Sequence, residues 1–358
     1  MRSAALRSAG SFRTARLTTR LAVGVVVLTV AGLGIALASL ATGPVSIPLS
    51  HVVSIVMSSV GIDGAEFTRT EELVIEQLRV PRILVGALVG LALGAAGATM
   101  QGLFRNPMAD PGIIGVSAGG AVGAVLSIAF GVSSLFFLAL PMFAFLGAMG
   151  AAFLVYGLAT VGGRFSMPTL LLAGIAVSAF LGAVVSAVIV SVPDNESLRE
   201  ILFWLAGGLD GRTWEHVRLS APLILGGVAV IVLLSRDLNL LMLGDEEARS
   251  MGVRVGALRP AFLGIAAMVT GVAVAVSGTI AFVGLVVPHM MRLVFGPDHR
   301  VLIPVSALGG ALFVVLADTI ARNVIQPAEF RVGIVTAFVG APFFIFVLLR
   351  NKARAEAF

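Results

Sequence analysis

Few side chains in this 358-residue chain could do chemistry, and they are scattered. The histidines His51, His216, His289 and His299 stand in separate stretches, with no metal-ligand spacing and no acid-rich cluster beside them. Cysteine is absent, which removes disulfides, thiolate metal sites and thiol nucleophiles. One of the 24 basic residues is lysine, Lys352, at the far C-terminus. A phosphate-binding loop G-x-x-x-x-G-K-[ST] needs a lysine that reaches the β- and γ-phosphates, so this chain is expected to hydrolyse no ATP itself. Ion-coupled carriers keep acidic residues inside their membrane helices. Here the apolar runs hold essentially none, with Asp318 at the end of one as the nearest case. An ion-coupled secondary carrier is thus the weaker reading, and uphill transport would need an external energy source.

One polar segment has the pattern of a contact element. Residues 236–259 read RDLNLLMLGDEEARSMGVRVGALR. Asp245 is placed to cap a short helix, Glu246 and Glu247 fall in its first turn where the helix dipole favours negative charge, and Gly252 can end it. Such a helix between two apolar runs is either a solvated surface element or the landing point of a separate ATPase.

The elements that must position these residues are membrane helices. The chain is 58% hydrophobic and 12% charged with mean hydropathy +1.05, whereas soluble domains are near half apolar and about a quarter charged. Apolar runs occupy about 21–41, 82–103, 112–131, 135–160, 169–191, 219–235, 260–279, 280–295, 301–320 and 332–349, each near the roughly 20 residues that a bilayer requires. The run at 280–295 carries Pro288, His289 and Arg292. It counts as a span because both termini are arginine- or lysine-rich and so cytoplasmic, which demands an even number. The six segments assigned inside then hold 16 basic and 7 acidic residues, against 8 and 12 outside. The first run resembles a signal peptide in its arginine-rich start and Ala36-Leu37-Ala38, but is longer than a typical signal core and is expected to be a retained span. The division is a basic tail over 1–20, one ten-helix domain over 21–350 with an external segment at 43–81 and the cytoplasmic loop at 236–259, and a tail at 351–358. Trp204 and Trp214 are expected as interfacial anchors. Two stripes of small residues, Gly86-Gly90-Gly94-Ala98-Gly102 and Gly174-Ser178-Gly182-Ser186, are expected to be close helix contacts.

Three blocks carry a family resemblance: RVPRILVGALVGLALGAAGATMQGLFRNPMADPGIIGVSAGG, LNLLMLGDEEARSMGV, and GTIAFVGLVVPHMMRLVFGPDHRVLIPVSALGGALFVVLADTIAR followed by VGIVTAFVGAPFFIFVLL. Over about 45–350 the chain resembles the permease subunits of bacterial type II ATP-binding-cassette importers for iron-siderophores, haem and vitamin B12, the FecCD-type permeases. The resemblance implies an all-α fold of about ten transmembrane helices in the bacterial cytoplasmic membrane. It also implies a second permease subunit, identical or paralogous, two cytoplasmic ATPase subunits carrying ATP and Mg, and an external substrate-binding protein. No cofactor bound by this chain itself is implied, and no nucleic acid. By motif, Arg79, Arg82 and Arg322 resemble the external arginines that receive glutamates of the binding protein. Asn106, Pro107 and Met108, with Ser166, Met167 and Pro168, match the inner loops that close the pathway. Asp245, Glu246, Glu247, Ala248, Arg249, Ser250, Met251 and Gly252 match the coupling helix. The family usually has Leu where Met108 stands, and E-L-P-[VI]-G where this chain has Glu329-Phe330-Arg331-Val332-Gly333. The implied cargo is a ferric siderophore, with haem and cobalamin as alternatives.

Overall fold

The computed structural model describes residues 2–58, 61–62, 66–162, 165–325 and 329–355, which form helices and connecting segments with no strand among them. In chain order the helices are α1 (Arg2–Ala41), α2 (Leu49–Ser58), α3 (Arg69–Leu73), α4 (Val80–Leu103), α5 (Val116–Ala129), α6 (Ala139–Ala159), α7 (Met167–Ser191) and α8 (Asn195–Leu205). They continue with α9 (Trp214–Leu233), α10 (Ser235–Leu241), α11 (Asp245–Ser250), α12 (Val255–Ser277), α13 (Val283–Phe295), α14 (His299–Asn323) and α15 (Val332–Ala355). A π-helical segment, Val74–Arg79, joins α3 to α4. Among the described residues seven helices are long and apolar enough to cross a bilayer, and the chain is a multi-pass membrane protein.

Helix α4 is the hub because its sequence removes side chains where other backbones must come close. It runs antiparallel to α14, and a methyl group placed on Gly90 would run into the Gly310 carbonyl, one on Gly94 into the Ser306 carbonyl. At the ends of the same stripe Gly86 meets Leu209 and Val314, and Gly102 meets His299. On the neighbouring face Gly97 abuts the Gly284 carbonyl of α13. Lipid tails are as apolar as the helix surfaces, so such van der Waals contact replaces the hydrophobic drive of soluble cores. The second stripe is only partly a contact: Gly174 packs on the Ile113 carbonyl, while Gly182 opens onto free space and Ser186 is exposed. Trp204 departs from expectation too. It lies 6% exposed in a cluster with Ile201, Val125 and Ile128 and is no interfacial anchor.

Ten helices occupy the ten expected stretches, but two are short. At 1.5 Å per residue, α5 and α13 measure about 21 and 20 Å, short of a hydrocarbon core of about 30 Å. Before α5, Asp110 accepts from the Gly112 N–H at 2.8 Å and caps a 3₁₀ turn, and Gly115 takes φ +79° at the joint. Before α13, Gly278 and Phe282 both adopt φ +68° around a non-helical stretch. Irregular backbone at membrane depth must be satisfied within the protein. Here the Gly208 N–H donates to the Ser277 carbonyl at 2.8 Å, and the Gly333 N–H to the Gly207 carbonyl at 3.2 Å. The break at 278–282 falls at the junction of the expected runs 260–279 and 280–295, and the second of these forms the 13-residue helix α13.

Candidate functional site

At the end of the bundle where α1 stops and α4 starts, arginines from three elements converge. Arg82, one turn into α4, donates from Nε and Nη2 to Asp318 of α14 at 2.8–3.1 Å, and from Nη1 to Glu329 at 2.8 Å. Arg322, one turn after Asp318, pairs with the same carboxylate at 3.2 Å and reaches the Ser39 side chain and carbonyl. Arg79 donates to the carbonyls of Leu40 and Val45. Arg79 and Arg322 thereby cap the C-terminus of α1, where free carbonyls and the dipole favour cations. The structure brings the three expected arginines together, yet leaves Arg79 5% and Arg322 3% exposed, engaged within the chain. Sequence reading had placed Asp318 but not its role as the shared acceptor. It had not linked Glu329 to Arg82 either.

At the opposite end lie the two expected gate loops. Arg105 takes φ +49°, and the Asn106 side chain accepts from the Met108 N–H at 3.0 Å, which folds 106–108 into a tight turn. Pro107 and Met108 line a pocket of about 150 Å³ with Leu285, His289 and Phe343, between α13 and α15. In the second loop Ser166 is the N-cap of α7, accepting from the Thr169 N–H at 3.3 Å, with Met167 and Pro168 in the first turn. The two loops rest against different neighbours.

Helix α11 forms where the sequence predicts, but Gly244 occupies its N-cap position, with Asp245 the first helical residue. The Asp245 carboxylate is taken by Arg259 of α12, at 2.7 and 3.0 Å, instead of capping its own helix. The stop is as expected: Gly252 has φ +85°, its N–H bonds to the Arg249 carbonyl, and the Val253 N–H bonds back to the Ala248 carbonyl, a Schellman ending. Ala248 is buried, while Glu246, Glu247, Arg249, Ser250, Met251 and Gly252 are exposed. Asp245 also connects the 106–108 and 166–168 segments. Arg105, beside Asn106, approaches it at 3.9 Å and donates to the Leu241 carbonyl, while Arg259 lies 5.6 Å over the ring of Phe165, beside Ser166. The Arg259 hydrogen bonds, ahead of the nearby arginine charges, hold the Asp245 carboxyl below the usual carboxylate range. Neither Arg105 nor Arg259 was legible as a partner, because the contacts span 140 and 14 residues of sequence.

A second carboxylate ties this end to α14. Asp298 caps that helix through the Arg300 N–H at 3.0 Å and accepts from Asn239 of α10 at 2.8 Å, and Asn239 in turn accepts from the His299 N–H at 3.0 Å. The Arg300 side chain, first, and these bonds lower the Asp298 pKa to about 2, against an ordinary value of about 3.9. A depressed carboxyl stabilises the fold above its unfolded pKa and loses that contribution as pH falls through the folded one. Asp298→Ala is therefore expected to cost about 1–2 kcal/mol at neutral pH. Its deficit relative to the parent should shrink between pH 4 and pH 2 in unfolding measurements across that range, and a pH-independent deficit would contradict the assignment.

The model of the FecCD transport family matches residues 11–350. The chain belongs to the FecCD transport family. Within it, the cobalamin import permease of Halobacterium salinarum is 46% identical over 286 residues, 80% of this chain and 76% of that protein. The hemin transport permease of Yersinia pestis is 42% identical, covering 77% and 83%, and the Fe(3+) dicitrate transport permease of Escherichia coli 40%, covering 78% and 86%. Among solved structures, an inward-facing chain assigned to a metal-chelate type ABC transporter superposes with TM-score 0.80 at 32% identity, over 90% of this chain and 97% of that one. The FecCD assignment fits an architecture in which a hydrophobic bundle carries its charged residues at its two ends.

Proposed function

We propose that this chain is the translocation subunit of an ATP-driven importer for a ferric siderophore or related metal chelate, taking cargo from an external binding protein. ATP and Mg would be held by two separate ATPase subunits docked on α11. A second permease subunit, the same or a paralogous chain, would complete the pathway in the cytoplasmic membrane, with both termini inside. Haem and cobalamin stay within the same reading, since relatives named for each are 40–46% identical. The observation that carries the proposal is Asp245. One carboxylate at the start of a short exposed helix holds Arg105 and Arg259, so displacement of α11 pulls on both gate loops.

The outer arginines Arg79, Arg82 and Arg322 are the proposed face for the binding protein. A partner carboxylate would meet Arg82, 12% exposed, before the other two.

Reconstitution in proteoliposomes with the ATPase and binding protein tests this. Chelate uptake should depend on ATP and on the ATPase subunit, and the isolated chain should turn over no ATP. Gly252→Pro should abolish uptake, because proline fixes φ near −65° and removes an N–H where the chain needs φ +85° and a bond to Arg249. Asp245→Asn should lower uptake more than it lowers the melting temperature. Uptake without the ATPase, or full uptake by Gly252→Pro, would overturn the reading.

A further inference from the structure

Helix α13 contains a backbone group that its own sequence cannot satisfy. Pro288 lies inside it and has no N–H, so the Gly284 carbonyl one turn earlier loses its helical donor. A carbonyl stranded at membrane depth must find a donor elsewhere in the protein. Gln101 of α4 supplies it. Its Nε2 donates to the Gly284 carbonyl at 3.3 Å and to the Leu285 carbonyl at 3.1 Å, while its Oε1 accepts from Arg292 Nη2 at 3.2 Å. A guanidinium can only donate, so Arg292 fixes the amide oxygen on its own side and leaves the NH2 group for the two carbonyls. Gln101 is 1% exposed. One side chain of α4 thus grips α13 at two places, about two turns apart.

The surrounding backbone is shaped for this grip. Gly97 stands one turn before Gln101 on the same face of α4, and a methyl group there would strike the Gly284 carbonyl. Gly284 is also closed in by Pro111 Cδ and Asp110 Oδ2, which a Cβ would approach to 2.9 and 3.2 Å. Gln101 also begins the 106–108 turn. Its carbonyl accepts from the Asn106 N–H at 3.1 Å and the Gly102 carbonyl from the Arg105 N–H at 3.1 Å, with Arg105 at φ +49°, a Schellman ending for α4. Pro107 and Met108 then share a pocket with Leu285 and His289 of α13. The Gln101 main chain sets where the turn starts, and its side chain holds the helix on which the turn lands.

We propose that Gln101 is a positioning residue for the inner gate: by satisfying the carbonyl that Pro288 leaves open, it holds α13 as the seat on which the 106–108 turn closes. The inference rests on the importer reading, which makes 106–108 a gate, and adds the residue that keeps the seat of that gate in place. An unsatisfied carbonyl inside the α4–α13 contact favours any arrangement that parts the two helices and lets water reach it. Removing the Gln101 donor should therefore release the turn, and a donor restored within α13 should reseat it.

The chain has no cysteine, so Met108→Cys carries a nitroxide label at one place. In the full-length chain in nanodiscs, the ratio of mobile to immobile spectral components reads the released-to-seated equilibrium. Gln101→Met is expected to raise that ratio about tenfold, equivalent to about 1.4 kcal/mol and within the cost of a stranded polar group. Pro288→Ala gives the Gly284 carbonyl a donor from its own helix. Alone it should leave the ratio near parental, and combined with Gln101→Met it should bring the ratio back to within about twofold of the parent. A label on Leu243→Cys, an exposed position between α10 and α11, should not respond to any of these changes. An unchanged ratio in Gln101→Met overturns the proposal. So does a raised ratio that Pro288→Ala fails to lower, since Gln101 would then act by packing alone, and so does an equal response at Leu243→Cys, which would mean that the whole chain loosens. Where Gln101→Met does not accumulate, recovery of folded protein by Pro288→Ala supports the proposal and continued failure overturns it. ATP-driven uptake is scored separately on the unlabelled proteins. Its absence in the parent strikes the importer reading while the spectra still decide the seat, whereas parental uptake by Gln101→Met with a released turn strikes only this inference.

Discussion

Arg82→Glu is expected to destabilise the folded chain by about 3–5 kcal/mol, the range seen when one partner of a buried ion pair is removed. The native guanidinium gives Asp318 three contacts of 2.8–3.1 Å and Glu329 one of 2.8 Å, with Arg82 12% and Asp318 3% exposed. A glutamate there would set three carboxylates together and leave Arg322 as the main counter-charge. Arg82→Gln should cost less because it adds no negative charge, and Arg82→Glu combined with Asp318→Arg should recover part of the loss. Thermal unfolding of the four proteins in one detergent decides the point. A melting temperature for Arg82→Glu within a degree of the parent would mean that the network contributes little. Any loss of binding-protein affinity in these variants must be read against that measurement, because the residue expected to dock a partner also holds α4 to α14.

The second large effect is steric. Gly90→Leu should cost about 3 kcal/mol or more, at or beyond the upper range for overpacking, since even the first side-chain carbon meets the Gly310 carbonyl and the following peptide nitrogen. No rotamer avoids a clash made by Cβ, and relief requires α4 and α14 to move apart along their whole contact. Gly182→Ala is the control. It has nothing within 4 Å and replaces a helix-interior glycine, so it should be neutral or gain up to about 1 kcal/mol. Equal yields and melting temperatures for Gly90→Leu and Gly182→Ala would refute the packing account.

How far each feature could be read in advance followed the range of the interaction behind it. Helix positions follow from local apolar runs, and all ten stretches hold a helix. The stripe on α4 follows from four-residue spacing, and the end of α11 from Gly252, since a left-handed turn is a property of one residue. Composition alone made the chain a membrane protein.

Tertiary contacts settled the rest. Gly182 repeats the spacing of Gly174 but meets no neighbouring helix, and spacing cannot say which face a neighbour will cover. The break before α13 falls within a long apolar stretch and is held by hydrogen bonds between segments, from the Gly208 N–H to Ser277 and the Gly333 N–H to Gly207, whereas the break before α5 lies between two expected runs and is capped by Asp110. Asp245 looked like a cap and became the partner of Arg105 and Arg259, because an ion pair with a well-placed guanidinium outcompetes a local bond to the backbone. Arg79 and Arg322 looked like surface charges and are buried at the end of α1, which lies 39 and 283 residues away along the chain. The amino-acid order sets what each residue can do over one or two turns of helix. Which charge meets which is decided only when the helices pack, because a Coulombic or hydrogen-bonded contact depends on separation in space and carries no trace in sequence spacing.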